Sequence, residues 1–248
     1  MPDPFVLIIS DTHIGGFTAL APAEFKTESG QIVKFDWRQE WLHDCFCADV
    51  AQIKKRLRGR RLVVVHAGDV VDGRHHENID ALPDLQDQEA MAVQILTPLR
   101  NMADKFFICK GTEVHSGPLA QSERRIAKEL AAKIGYRFSL DTGYGILDVA
   151  HHPGGGLLKI KNDILENCTA LGTPLPRFVV RGHAHTIDDS GEKWSNIRVV
   201  LAPCWQFKTG HGWRVAPNKR ANVGMITIDE GRLEIIRHEP KADKVIKV

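Results

Sequence analysis

Three observations predict a layered α/β or α+β fold in a single domain. Short apolar runs alternate with amphipathic helical stretches up to about residue 181, and from about residue 196 only strand-like segments follow. Histidines and aspartates stand directly after four of the apolar runs. Strands that feed helices argue for a sheet covered by helices, and the terminal strands extend it. No internal repeat or linker divides the chain.

The elements follow in order. Residues 5–10 are a continuous apolar run, the pattern of a strand buried on both faces. Residues 14–36 form an insertion in which EFKTESGQIVKF alternates about Ser29-Gly30, predicting a β-hairpin at about 22–36. Trp37 to Leu57 is a helix, with Trp37, Trp41, Cys45, Phe46, Val50, Ile53 and Leu57 on one apolar stripe and a basic C-terminus suited to the helix dipole. Residues 61–67 form the second buried strand, and 84–102 a helix that Pro98 should kink or end. Residues 105–109 form a strand, 119–134 a helix closed by Gly135, 144–150 a strand, 156–171 a helix and 177–181 a strand. The tail carries NIRVVLA, then VGMITID and RLEIIRHE joined at Glu230-Gly231 as a hairpin.

Composition sets bounds. With 248 residues, 43% apolar and 26% charged, the chain can bury a substantial core. A formal charge of +2 gives no electrostatic case for nucleic acid. Five scattered cysteines without a CxxC pair fit reduced thiols rather than a disulfide framework. The first apolar run is only FVLII, and no stretch approaches the ~20 apolar residues of a membrane span. A cytoplasmic protein without a membrane partner is expected.

The four clusters are Asp11-Thr12-His13, Gly68-Asp69, His151-His152 and Gly182-His183-Ala184-His185. Taken singly, the first two read equally well as strand-to-loop turns. The paired imidazoles are harder to explain that way, and all four follow the C-terminal end of a strand, where open α/β sheets bind ligands. Two aspartates and four or more histidines suit a pair of divalent cations about 4 Å apart with a carboxylate such as Asp69 between them. Such a pair polarises phosphoryl oxygens and generates a hydroxide nucleophile near neutral pH. Near these clusters, His75 and His76 read equally as rim residues or as an exposed loop pair, and His211 lies in a glycine-rich turn with Trp213 and Arg214. Trp205, His43 and His66 read as packing residues.

The series DTH, GD, HH and GHAH, spanning residues 5 to about 205, resembles the calcineurin-like metallophosphoesterase family, whose motifs run DxH, GDxxD, GNHD/E, H and GHxH. The resemblance implies a four-layer fold, a β-sandwich flanked by helices, with a two-metal site at one edge. It implies Asp11, His13 and His185 on one ion, Asp69 bridging, His151 (or its neighbour His152) and His183 on the other, and Asp72 in support. The chain departs from the family at Gly111-Thr112-Glu113-Val114-His115. In the simplest alignment Thr112 takes the place of the family asparagine. Glu113 is the candidate substitute ligand, and His115 the candidate general acid or phosphate contact. A phage-type variant of the family carries such a GTExH sequence.

The function expected is hydrolysis of phosphomonoesters or phosphodiesters by a metal-bound hydroxide. Mn²⁺ is the first choice, with Zn²⁺, Fe²⁺ or Fe³⁺, Ni²⁺ and Co²⁺ also suited to this ligand set. The substrate class includes nucleotides and cyclic nucleotides. A DNA nuclease of the same family and a metal-binding scaffold without turnover are the alternatives.

Overall fold

The computed structural model describes residues 3–74, 82, 84–208 and 221–240. His75, His76, His211, Trp213 and Arg214 lie outside the described residues. In chain order the elements are β1 (Phe5–Ile9), β2 (Phe25–Lys26), β3 (Ile32–Val33), α1 (Trp37–Leu57), β4 (Leu62–His66), α2 (Leu85–Met102) and β5 (Lys105–Cys109). A helical turn α3 (Glu113–Ser116), a 3-10 turn at Pro118–Ala120 and helix α4 (Gln121–Glu129) come next. The rest is β6 (Lys133–Gly135), β7 (Arg137–Asp141), β8 (Ile146–Ala150), α5 (Leu157–Leu171), β9 (Phe178–Arg181), β10 (Asp188–Asp189), β11 (Arg198–Leu201), β12 (Val223–Asp229) and β13 (Arg232–His238).

Two sheets form, in the orders β13-β12-β1-β4-β5-β6 and β10-β11-β9-β8-β7, beside the small β2-β3 hairpin. Alternation along the strands sets the layers. Phe5, Leu7, Ile9, Leu62 and Val64 pack in one core with Leu42, Phe46 and Ile53 of α1, Met91 and Leu96 of α2, and Ile126 of α4. Their neighbours Val6, Ile8 and Val65 face the other way, against Leu147, Val149, Phe178, Val180 and Val200 of the second sheet. That sheet turns Val179 and Val199 outward onto Ile160, Ile164 and Cys168 of α5. The order helices, sheet, sheet, helix is a four-layer β-sandwich flanked by helices.

Register brings the strand ends level. β1 and β4 run parallel with Ile9 opposite His66. In the second sheet Ala150 and Leu201 both lie opposite Arg181. The segments leaving β1, β4, β8 and β9 therefore emerge at two matched rims.

Several local expectations change. Trp37 is half exposed, so it does not anchor the stripe of α1, although Leu42, Phe46 and Ile53 do. Helix α2 continues through Pro98. The helix expected over 119–134 begins only at Gln121, because Leu119 and Ala120 have φ of 57° and 56°, which a right-handed helix excludes. It ends at Glu129, and Gly135 closes strand β6 rather than a helix. No helix among the described residues is long and apolar enough to cross a membrane.

Candidate metal centre

Asp11, His13, Asp69, His115, His151, His152, His183 and His185 meet at one edge of the sandwich. They form four overlapping trios, each with ligand-capable atoms within 4.8 Å of one another: Asp11, His13 and His185; Asp11, Asp69 and His151; His13, Asp69 and His115; His151, His152 and His183. The first sheet delivers Asp11, His13 and Asp69, and the second delivers the histidines at 151, 152, 183 and 185. Asp11, His13, Asp69 and His151 are each shared between two trios. No cysteine belongs to any trio.

The backbone turns sharply at these positions. Asp11, His13, Asp69, His183 and His185 have φ of 51°, 43°, 52°, 68° and 54°, a left-handed conformation that costs ordinary residues of order 1–2 kcal/mol. Strain of this kind gathers at functional sites, where neighbouring structure holds it in place. Gly68 shows how tightly: at φ 104° an added Cβ would come within 2.6 Å of His151 Nδ1. The cluster is anchored from behind by His66, which is fully buried. Gly68 N–H donates to His66 Nδ1 at 3.2 Å, so Nε2–H faces Thr12 Oγ1 at 3.0 Å and Thr12 donates to Val70 O at 2.8 Å. Burial pushes His66 down to about 3, consistent with that neutral tautomer.

Each carboxylate is held in place. The His183 N–H reaches both Asp11 oxygens, at 3.1 and 3.0 Å, and Ser10 Oγ donates to Asp11 Oδ2. Asp69 Oδ1 accepts the Thr112 N–H at 2.7 Å, and the Thr112 hydroxyl lies 2.9 Å from both its oxygens. Burial alone would raise both acids. The imidazole of His185 beside Asp11, and that of His151 beside Asp69, instead hold them well below the usual carboxylate range.

Two imidazoles are oriented through hydrogen bonds of their far nitrogen, as metal-binding histidines usually are. His151 Nδ1–H donates to Ala67 O at 2.9 Å and His115 Nδ1–H to Asp72 O at 2.6 Å. Asp72 Oδ1 lies 3.6 Å from His13 Nδ1. The near nitrogens then face the carboxylates. His151 Nε2 is buried, lies 3.1 Å from Asp69 Oδ2 and forms no hydrogen bond. His13 Nε2 and His185 Nε2 stand 3.0 Å apart, with Asp11 Oδ1 3.3 Å from the latter. Lone pairs turned on one another and on carboxylate oxygens are the arrangement a cation resolves. Two nitrogens each about 2.1 Å from one ion naturally fall about 3 Å apart. The donor set of imidazoles and carboxylates fits divalent Mn, Fe, Co, Ni or Zn.

Without a cation, the charges distribute unevenly. Burial pushes His151 down, but Asp69 and Asp11 outweigh it and carry the imidazole up to about 9. Burial is likewise overcome at His13, which the carboxylates of Asp72, Asp69 and Asp11 raise. Burial and the neighbouring imidazole of His13 bring His115 down to about 4. Burial also lowers His152 and His183, both of which feel His151. Neutral histidines are the form that ligates.

Glu113 stands apart from this gathering. It opens the turn α3 with its side chain exposed and belongs to none of the trios among the described residues. The same turn swings His115 inward. Thr112, the N-cap position, meets the cluster by donating to Asp69 rather than by offering an acid. In the sequence Thr112 stands opposite the family asparagine with no role that its residue type announces. A hydroxyl and a free N–H at a helix N-cap were the available signal. Glu123 and Gln206 were not read from the sequence at all. Gln206 Nε2 donates to Asp72 Oδ1 at 3.4 Å.

No family model matches the chain, and no curated protein does either. Solved structures resemble it along most of its length. A single mutant of Vps29 from Entamoeba histolytica shares 10% identity at a TM-score of 0.44, covering 95% of this chain and 99% of that one. A conserved uncharacterized protein from Streptococcus pneumoniae TIGR4, described as a predicted phosphoesterase, shares 12% at 0.40, covering 96% and 99%. The sulfate thiohydrolase SoxB of Thermus thermophilus shares 11% at 0.45, covering 96% of this chain and 56% of that one. At such identities and TM-scores, the chemistry rests on this chain's own side chains.

Proposed function

We propose that the chain is a phosphoesterase working with two divalent metal ions, hydrolysing phosphomonoesters or phosphodiesters. One observation carries the reading: four trios of acids and imidazoles from both sheets share Asp11, His13, Asp69 and His151, as two adjoining ion sites require. Asp11, His13 and His185 would hold one ion, His151 and His183 the other, with Asp69 between them and His152 within reach of the second. Bound there, the ions would polarise a phosphoryl oxygen and make a water more acidic. Mn²⁺ is the metal we expect.

The protein's own groups do the rest. Thr112 fixes the Asp69 carboxylate and the His183 N–H that of Asp11, so the acids need not reorganise as a substrate arrives. His115 keeps Nε2 turned toward Asp69, 4.0 Å from Oδ2, while Asp72 O holds its other nitrogen. With the ring proton on Nδ1, Nε2 presents a lone pair, so His115 would have to take up a second proton from solvent before it could protonate a departing alkoxide or donate to the phosphate. Nucleotides or cyclic nucleotides are the substrates we would offer first.

The exposure of Glu113 favours a second reading, a metal-binding scaffold without turnover, since the substitute ligand expected from the sequence is withdrawn. Hydrolysis of bis-p-nitrophenyl phosphate and p-nitrophenyl phosphate in the presence of Mn²⁺ separates the two. The enzyme reading expects turnover that falls at least about a hundredfold in His183→Ala. Rates equal to those of His183→Ala, across Mn²⁺, Zn²⁺, Co²⁺ and Ni²⁺, would leave the scaffold.

A further inference from the structure

The segment from Gly111 to Ser116 brings two side chains to the cluster, Thr112 and His115, and both of its ends rest on a single buried acid. Glu123 of α4 is completely buried. Its Oε1 accepts the Ser116 hydroxyl at 2.5 Å, at the C-terminal end of the turn. At the other end, Gly111 is wedged between this acid and Asp69. A Cβ there would come within 2.9 Å of Glu123 Oε1, 2.4 Å of Asp69 N and 2.1 Å of Asp69 Oδ1. Helix α4 is itself fixed to α2, because Ser122 Oγ donates to Glu89 Oε1 at 2.9 Å and Arg125 Nη1 lies 3.2 Å from the same carboxylate. The second oxygen of Glu123, Oε2, is buried without a hydrogen-bond partner. Burying an acid this fully is costly, and no packing need explains it when an apolar side chain would fill the space.

We propose that Glu123 is a positioning residue for the metal centre: by clamping Gly111 and Ser116, it sets the Thr112 donors on Asp69 and the His115 imidazole beside the same carboxylate. The functional meaning of this clamp rests on the phosphoesterase reading; the clamp itself does not. Glu123 lies behind the loop and belongs to none of the trios among the described residues. Its effect passes through the Thr112 N–H, 2.7 Å from Asp69 Oδ1.

The test uses the full chain with Glu123→Ala, Glu123→Gln and Ser116→Ala, and two readouts besides activity. Amide hydrogen exchange at Thr112 is followed in metal-free protein, and Mn²⁺ affinity by calorimetry. In Glu123→Ala the Thr112 amide should exchange about tenfold faster or more, and the Mn²⁺ dissociation constant should rise about 10–100-fold. Glu123→Gln should stay near wild type in both, since an amide oxygen accepts the Ser116 bond equally well. If Glu123→Ala does not fold, Ser116→Ala carries the test with the same two readouts and changes in the same direction. Wild-type exchange and affinity in the variant that folds would overturn the proposal, as would a Glu123→Gln protein as impaired as Glu123→Ala. A wild-type chain that binds none of Mn²⁺, Zn²⁺, Co²⁺ and Ni²⁺ would sink the phosphoesterase reading alone, leaving the exchange measurement to decide on the clamp.

Discussion

His185 carries both a functional side chain and a backbone conformation that its side chain disfavours, with φ of 54°. Its imidazole faces His13 Nε2 and Asp11 Oδ1, and its carbonyl accepts the Asn222 N–H at 2.9 Å. Separating the two roles gives a prediction. His185→Ala and His185→Gly both remove the imidazole, and both should lower Mn²⁺ affinity by tenfold or more. Only glycine relieves the left-handed backbone, so His185→Gly should be more stable than His185→Ala by about 1 kcal/mol in metal-free urea unfolding. Equal stabilities would mean that the turn stores no strain at this position. The cluster was legible in the sequence because ligands must leave strand ends, and histidine pairs such as His151-His152 have few other reasons to stand there. Glu123 was not legible: an acid on an amphipathic helix looks like any solvated one until the fold buries it. Thr112 escaped for a similar reason, since half of its grip on Asp69 comes from a backbone N–H.

At the scale of elements, α1 shows how local signals fix a boundary. Asp36 caps the helix, accepting the Arg38 N–H at 2.9 Å and the Gln39 N–H at 3.3 Å, while Gln39 Oε1 accepts the Asp36 N–H at 3.4 Å. Burial alone would raise the Asp36 carboxyl slightly, but the Arg38 guanidinium and these backbone donors hold it below its ordinary value. A depressed folded pKa means the carboxylate's stabilisation is fully present above the unfolded pKa of about 3.9 and fades as pH falls through the lower folded value. Asp36→Ala should therefore cost about 1 kcal/mol at neutral pH. The gap from wild type should narrow in urea unfolding as pH falls below about 3.9, where the unfolded carboxyl takes up a proton that the capped one still resists. A gap independent of pH would assign the loss to helix propensity rather than to the charged cap. Elements of this kind, with caps and periodic faces, match their sequence patterns closely, as β1, β4, β5 and α5 do. Strand β6 does not, because Lys133–Gly135 becomes a strand only by pairing in parallel with Phe107, Ile108 and Cys109 of β5. A three-residue strand has no periodicity of its own, and the helical pattern preceding it runs straight through. The five-residue β7, half exposed along its length, presents too slight an apolar face for its sequence to announce a strand.

For the whole molecule, the centre straddles the sandwich: one sheet supplies the aspartates and the other most of the histidines. Its geometry therefore depends on strand register within each sheet and on the core of Val6, Ile8, Val65, Val149 and Val180 between them. In the second sheet a buried ionic knot ties three strands together just behind the histidines. Asp148 of β8, only 1% exposed, accepts Arg181 Nη2 of β9 at 2.6 Å and Arg137 Nε of β7 at 2.5 Å. Arg181 immediately precedes Gly182-His183, and Asp148 lies three residues before His151. Removing one partner of a buried pair leaves the other charged and unsolvated, a loss of about 3–5 kcal/mol. Asp148→Ala should lose stability on that scale, because Arg181 is only 5% exposed and reaches little water. Arg181 also donates to the Asp148 and Val180 carbonyls, so its own strand keeps it from swinging out. Adding Arg181→Met to Asp148→Ala removes the stranded charge and should recover part of the loss, which makes the double variant more stable than the single one. Urea unfolding of the wild type, the single variant and the double variant decides the matter. A double variant no more stable than Asp148→Ala would show that hydrogen bonding to the strands, rather than an uncompensated guanidinium, sets the stability of this sheet.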